Sequence, residues 1–192
     1  PLEMIIRKIF SLAASIISLF IFILFLSSNS ISDDNNIKHY SGDEGILSLM
    51  SHRFNENKYP STNVQMDVFK EQIKIIKNSN YIFSNPKNFE ETFSSPKTNK
   101  EILITIDDAF LSFYLGAWPF LKQNKIPFIL FVSTEPVGKS GYMTWEQIKE
   151  VGTEEFAVIG HHSHSHGYLI DKDDNFFISD IEKANEIFLK NL

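Results

Sequence analysis

The chain has 192 residues, 43% of them apolar and 18 of them Phe, enough for one domain with a real core and too hydrophobic for disorder throughout. Its 24 acidic and 18 basic residues give a net charge of −6 with no Lys/Arg stripe, which argues against nucleic acid as a partner. There is no cysteine, so disulfide staples and thiolate metal sites are excluded, and the lack fits an exported protein.

Arg7 and Lys8 precede Ile9–Leu26, which is 18 residues without a charge and predicts a hydrophobic helix. Met4 fits a true start with a short basic segment behind it. Residues 1–28 therefore read as a signal anchor or signal peptide. The uncleaved form is favoured, because Ser27, Ser28 and Ser30 follow without an Ala-x-Ala site. The basic flank puts that end in the cytoplasm and the rest outside, anchored in the membrane of the cell envelope. Residues 29–44, rich in Ser, Asn and Asp, read as a linker to a domain over 45–192.

Within that domain Ile46–Met50 predicts a strand, followed by a loop through His52-Arg53-Phe54 and the polar residues 55–62. Phe69, Ile73 and Ile76 recur at helical spacing over Gln65–Lys77, and Tyr81–Ser84 is a short strand. Pro86 opens a brief helix over 86–93. Glu101–Ile106 is a strand that runs straight into Asp107-Asp108, and Ala109–Asn124 predicts a buried helix bent near Pro119. Pro127–Val132 predicts a strand buried on both faces. After a Gly/Pro loop over 134–142, Thr144-Trp145-Glu146-Gln147 is a capping box for a helix through Val151, stopped at Gly152. Phe156–Ile159 is the next strand. A closing helix lays Phe177, Ile181, Ala184 and Phe188 along one face, after a solvated acidic approach at Asp171–Asp174.

Strands alternating with helices predict parallel pairing and an α/β fold, in which active sites gather in the loops after the strands. Four of the six histidines fall within residues 161–166, directly after a strand. His162 and His166, at i and i+4, would face the same side of a helical turn and reach one ion. One aspartate of the Asp107-Asp108 pair can complete a three-ligand site, leaving the other to move protons. His52 also follows a strand. A solvated histidine-rich loop is the alternative on composition alone.

Thr105-Ile106-Asp107-Asp108-Ala109 resembles the Thr-Phe-Asp-Asp-Gly motif of the polysaccharide deacetylases, the NodB-homology group also called carbohydrate esterase family four. His162-Ser163-His164-Ser165-His166 matches their His-Ser/Thr-x-x-His motif, and Ile159-Gly160 and Leu169 around it also look like the family. The resemblance covers residues 45–190 and implies a partial or deformed (β/α) barrel. Ala109 stands where the family has Gly, which matters if the backbone there needs a positive φ; otherwise Ala109 simply begins the helix.

The resemblance further implies that Asp108, His162 and His166 hold one divalent metal ion. Zinc is the first choice, and cobalt, nickel or ferrous iron also suit the set. Asp107 would be the general base on a water activated by the ion, and Ser163 would tie down the loop by hydrogen bonding. His52 resembles the Tyr-His element of a circularly permuted subgroup, with Ser51 in place of Tyr, and would be the general acid. His161 and His164 would lie behind the ligands or at the rim. Trp145 either stacks on a sugar ring or packs at the helix start. The expected activity is removal of N-acetyl groups from an amino-sugar polysaccharide. Hydrolysis of another amide or ester, or a catalytically silent envelope module that binds glycan or metal, are the alternatives. The family's Arg/Ser-x-Pro-x-Gly motif is not found before Leu192, so the resemblance implies a longer protein, incomplete here at its C-terminus.

Overall fold

The structure, a computed structural model, describes residues 45–88 and 99–192. The N-terminal hydrophobic helix, the segment 1–28 and the linker 29–44 lie outside the described residues. Among the described residues no helix is long and apolar enough to cross a membrane.

The expected α/β architecture with parallel pairing is present. Strands β1 (Ile46–Ser51), β4 (Tyr81–Phe83), β5 (Lys100–Asp107), β6 (Phe128–Val132) and β7 (Ala157–His161) form one parallel sheet. β5 is its spine. Glu101–Ile106 pairs with β1 along one edge, while the other edge is shared by β4 at Lys100–Ile102 and β6 at Ile104–Asp107. Every residue of β5 from Ile102 to Asp107 is buried, as a strand flanked on both sides must be.

Helix α1 (Met66–Lys77) buries Phe69, Ile73 and Ile76, the stripe its sequence spacing predicts. Helix α3 (Trp145–Gly152) starts with the expected capping box. The Thr144 side chain accepts from Gln147 N, and the Gln147 side chain accepts from Thr144 N. Phe113, Trp118, Phe128 and Phe156 form a chain of ring contacts between the sheet and the helices on one face.

Several local expectations are corrected. The polar stretch after His52 contains two two-residue strands, β2 (Arg53–Phe54) and β3 (Asn63–Val64), too short to leave a periodic signal. Of the helix expected over 86–93, the described part is one 3-10 turn at Pro86–Asn88. The helix expected from Ala109 begins only at Leu111, because Asp108 and Ala109 are left-handed, with φ of 72° and 52°. Its distortion is a π-helical turn over Phe113–Ala117, in which Trp118 N donates to Phe113 O five residues back; the regular helix α2 (Trp118–Asn124) follows. Pro119 has no N–H to give to the preceding turn, so the wide turn sits where a normal ladder would be broken anyway. β6 buries Phe128, Leu130 and Val132, but Ile129 and Phe131 on its other face are only partly covered. α3 includes Gly152 and is capped at Thr153. The closing helix α4 (Asp174–Asn191) turns Asp180 and Ala184 inward, whereas Phe177 is exposed.

Gly160 is required by packing. It pairs with Phe131, and a Cβ added there would lie 2.6 Å from Phe131 Cδ1 and 3.2 Å from Ile129 Cγ2. Gly160→Ala is therefore expected to cost about 1–3 kcal/mol by overpacking, lowering Tm by roughly 3–10 °C. Adding Phe131→Leu should recover part of the loss. A Gly160→Ala protein with unchanged thermal unfolding would contradict this close approach.

Candidate functional site

The strand register brings the site together. Ser51 pairs with Ile106, so His52, the next residue after β1, arrives beside Asp107. Asp107 pairs with Phe131 and Phe131 with Gly160, so the ends of β5, β6 and β7 lie in one row. The residues that follow these strands therefore share one edge of the sheet.

Asp107 and Asp108 are both buried there, and Oδ1 of each has no hydrogen-bond partner. His52 Nε2 lies 4.0 Å from Asp107 Oδ2, beyond hydrogen-bond reach. Burial pushes the Asp107 carboxyl above its ordinary range, while His162 and His52 pull it part of the way back. A left-handed turn at Asp108-Ala109 follows, and Met143 N donates to Ala109 O to hold it. Ala109 thus occupies a conformation that glycine adopts with less strain.

Asp108 Oδ1 is 3.0 Å from His166 Nε2 and 3.7 Å from His162 Nε2. The two imidazole rings are 5.0 Å apart between centroids. The expected helical turn is absent: residues 162–168 form a loop, with Ser163 and His166 left-handed at φ 65° and 54°. Five successive amides of that loop all donate to side chains. Ser163 N goes to His161 Nδ1, His164 N to Asp180 Oδ2 and Ser165 N to Asp180 Oδ1. His166 N goes to Ser163 Oγ, and Gly167 N to Ser165 Oγ. On the carbonyl side, Ser133 Oγ donates to His162 O, Thr134 N to Ser163 O and Glu135 N to His164 O.

The remaining expected residues surround this centre. His161 packs its ring on Phe188, and His164 Nδ1 shares a 2.8 Å hydrogen bond with Thr134 Oγ1. Trp145 packs edge-to-face on Phe188 and lines a shallow depression with Lys139 and His164. A pocket of about 270 Å³ lies against Asp108 and His166, walled by Phe110, Tyr142, Glu135 and Lys139.

Sequence reasoning missed Asp180 and Arg53. Asp180 is buried on α4, and burial works against its charge; hydrogen bonds from Ser165 and His164 nevertheless hold its carboxyl below the ordinary range. Its signal was a carboxylate at i−4 from core Ala184, on the apolar stripe of a helix. Arg53 lies between the rings of Phe110 and Tyr59, at 3.4 and 4.0 Å, and pairs with Glu56 at 2.9 Å, which fixes the residue next to His52. Nothing in its neighbourhood along the chain announces Phe110.

Asp108, His162 and His166 offer three ligand atoms within 4.8 Å of one another. Ligands about 2.0–2.1 Å from a tetrahedral zinc stand roughly 3.4 Å apart, midway between the two separations measured from Asp108 Oδ1. That oxygen is buried and unpartnered although an imidazole nitrogen is within reach, because the pair lacks hydrogen-bond geometry. A cation between the three groups would satisfy it, so the residues fit a divalent ion.

Comparison with known proteins gives this arrangement a family. Residues 94–192, just over half of the chain, match the polysaccharide deacetylase family profile. YxkH of Bacillus subtilis, itself a provisional polysaccharide deacetylase, is 26% identical over 115 residues; the alignment takes in 59% of this chain and 40% of YxkH. The chain thus spans less than half of that relative. IcaB from Ammonifex degensii superposes with a TM-score of 0.68 at 26% identity, over 77% of this chain and 69% of that one. The Streptococcus pyogenes deacetylase PplD, solved with acetate, shares the fold with a TM-score of 0.67 at 22% identity over the same shares. With its two motifs at the ends of β5 and β7, one strand apart in the sheet, the chain belongs to the polysaccharide deacetylase family.

Proposed function

We propose that the protein is a metal-dependent hydrolase that removes N-acetyl groups from an amino-sugar polysaccharide. The catalytic domain would be residues 45–192, on a sheet we read as part of a deformed (β/α) barrel. Residues 1–28 would tether it to the membrane or export it, with 29–44 as linker, so that it works in the cell envelope. The observation that carries the reading is the buried, unpartnered Asp108 Oδ1 between two imidazole nitrogens, with a second buried carboxylate beside it.

Asp108, His162 and His166 would hold the ion, zinc first and cobalt, nickel or iron as alternatives. When bound, such an ion supplies Lewis-acid chemistry toward the acetamide carbonyl and the attacking water. Asp107 is the general base. Its carboxyl has an unpartnered oxygen and, through burial, a raised proton affinity, both suited to taking a proton from water. The water oxygen bonds to the acetamide carbon and the C–N bond breaks. His52, on the far side of Asp107, gives the departing amine nitrogen its proton. Acetate and a free sugar amine are the products. The pocket walled by Phe110 and Tyr142 has the aromatic lining that a sugar ring favours. A catalytically silent module is the second reading, motivated by Ala109 in place of glycine; Asp107→Asn without effect on any property would favour it.

Chelator treatment should abolish acetate release from N-acetylglucosamine oligomers, and added zinc should restore it; activity that survives chelation ends the metal reading. Asp107→Asn should lower turnover by about 10²–10⁴-fold. The same change should raise the thermal midpoint of the metal-free protein by about 2–5 °C, because it removes a buried carboxylate that has an unsatisfied oxygen. A carboxyl whose folded pKa is raised contributes stability below its unfolded pKa and loses it as pH rises through the folded value. The gain from Asp107→Asn should accordingly vanish in acid and grow as pH rises. His52→Ala should cost about 10²-fold in turnover with metal content intact; full turnover would remove His52 from the mechanism.

A further inference from the structure

We infer that Asp180, which reaches neither the ligand atoms nor the pocket beside them, positions the histidine loop for metal binding. The inference rests on Asp108, His162 and His166 being the metal ligands. Asp180 is 5% exposed, and its two oxygens accept the amides of His164 at 2.8 Å and Ser165 at 3.0 Å. These two amides lie between the ligand histidines in the chain. They belong to a loop with no helical or strand ladder of its own and two left-handed residues, Ser163 and His166. A loop of this kind keeps one shape only while its amides have acceptors. One carboxylate gripping two successive amides fixes the peptide planes between His162 and His166, and hence the separation of their Nε2 atoms. Partners behind metal ligands set ligand orientation, and their loss typically costs 10–100-fold in affinity.

The isosteric change Asp180→Asn keeps one acceptor but turns an NH₂ toward the other amide, donor against donor. Asp173→Ala is the matched control. The Asp173 side chain caps the same helix by accepting from Phe176 N at 2.8 Å, so its loss weakens α4 without touching the loop. Zinc affinity of the full chain, measured by chelator competition with the metal alone, reads the effect without turnover. Asp180→Asn is expected to weaken zinc binding about 10–100-fold. Asp173→Ala should leave it within about twofold while lowering the thermal midpoint. Wild-type affinity in Asp180→Asn, or an equal loss in Asp173→Ala, overturns the inference and leaves the metal site standing. No zinc binding by the unsubstituted protein overturns the metal reading and this inference together. Should Asp180→Asn fail to fold, hydrogen exchange in the unsubstituted, metal-free protein decides. Slow exchange at the His164 and Ser165 amides supports the clamp, and exchange at the rate of free amides overturns it.

Discussion

Two adjacent carboxylates buried at the end of the central strand are the constraint on which the rest depends. Asp107 and Asp108 are like charges, next to each other, each with an oxygen that finds no donor. An unsatisfied buried acceptor costs about 1–3 kcal/mol, and more when charged. β5 can carry this cost because its residues from Ile102 to Ile106 lie in the core, where Ile104, Ile106, Phe113 and Phe128 are almost wholly shielded from water. The aspartates also cannot withdraw to solvent, since pairing fixes the strand up to Ile106 on the β1 edge and up to Asp107 on the β6 edge. What gathers around them is a set of imidazoles that can share a cation with Asp108. Stability is given up at the point where three possible ligand atoms for a cation meet.

Backbone strain is concentrated in the same place. Among the described residues six non-glycine positions have positive φ, and four of them are Asp108, Ala109, Ser163 and His166. Left-handed residues cost of order 1 kcal/mol each and persist where their surroundings over-determine them. Ala109 illustrates the balance. Glycine there would relieve the strain but surrender a buried methyl and add freedom to the unfolded chain, terms of similar size and opposite sign. Alanine can therefore stand at this turn without displacing Asp108, and the departure from the family's glycine leaves the turn intact.

The alternation of β5, β6 and β7 with their helices was legible because each apolar run is long enough to show its period. The capping box at Thr144 was legible because its chemistry is local. Expectation failed where geometry depends on residues far along the chain. His162 and His166 do face one another, but not through a helical turn; the loop between them is shaped by Ser133 and Thr134 on one side and Asp180 on the other. Asp180 lies on the apolar stripe of the closing helix, at i−4 from core Ala184, but nothing near it in the sequence names the amides of His164 and Ser165 as its partners. The two-residue strands β2 and β3, which set Arg53 against Phe110, carry no periodicity to read.

The histidine loop explains why spacing alone is a weak guide to such a site. From Ser163 to Gly167 each amide is accepted by a side chain, and none by a backbone carbonyl. In a helix those amides would be satisfied whatever the side chains were, and the i, i+4 spacing would suffice to define the geometry. Here the geometry is a property of His161, Ser163, Ser165 and Asp180 as acceptors. The same pair of histidines with different neighbours would still have the spacing and would lose the shape. The serines inside the histidine run are thus part of what aims the rings. The distant carboxylate on α4 links that aim to the folding of the chain's last described helix.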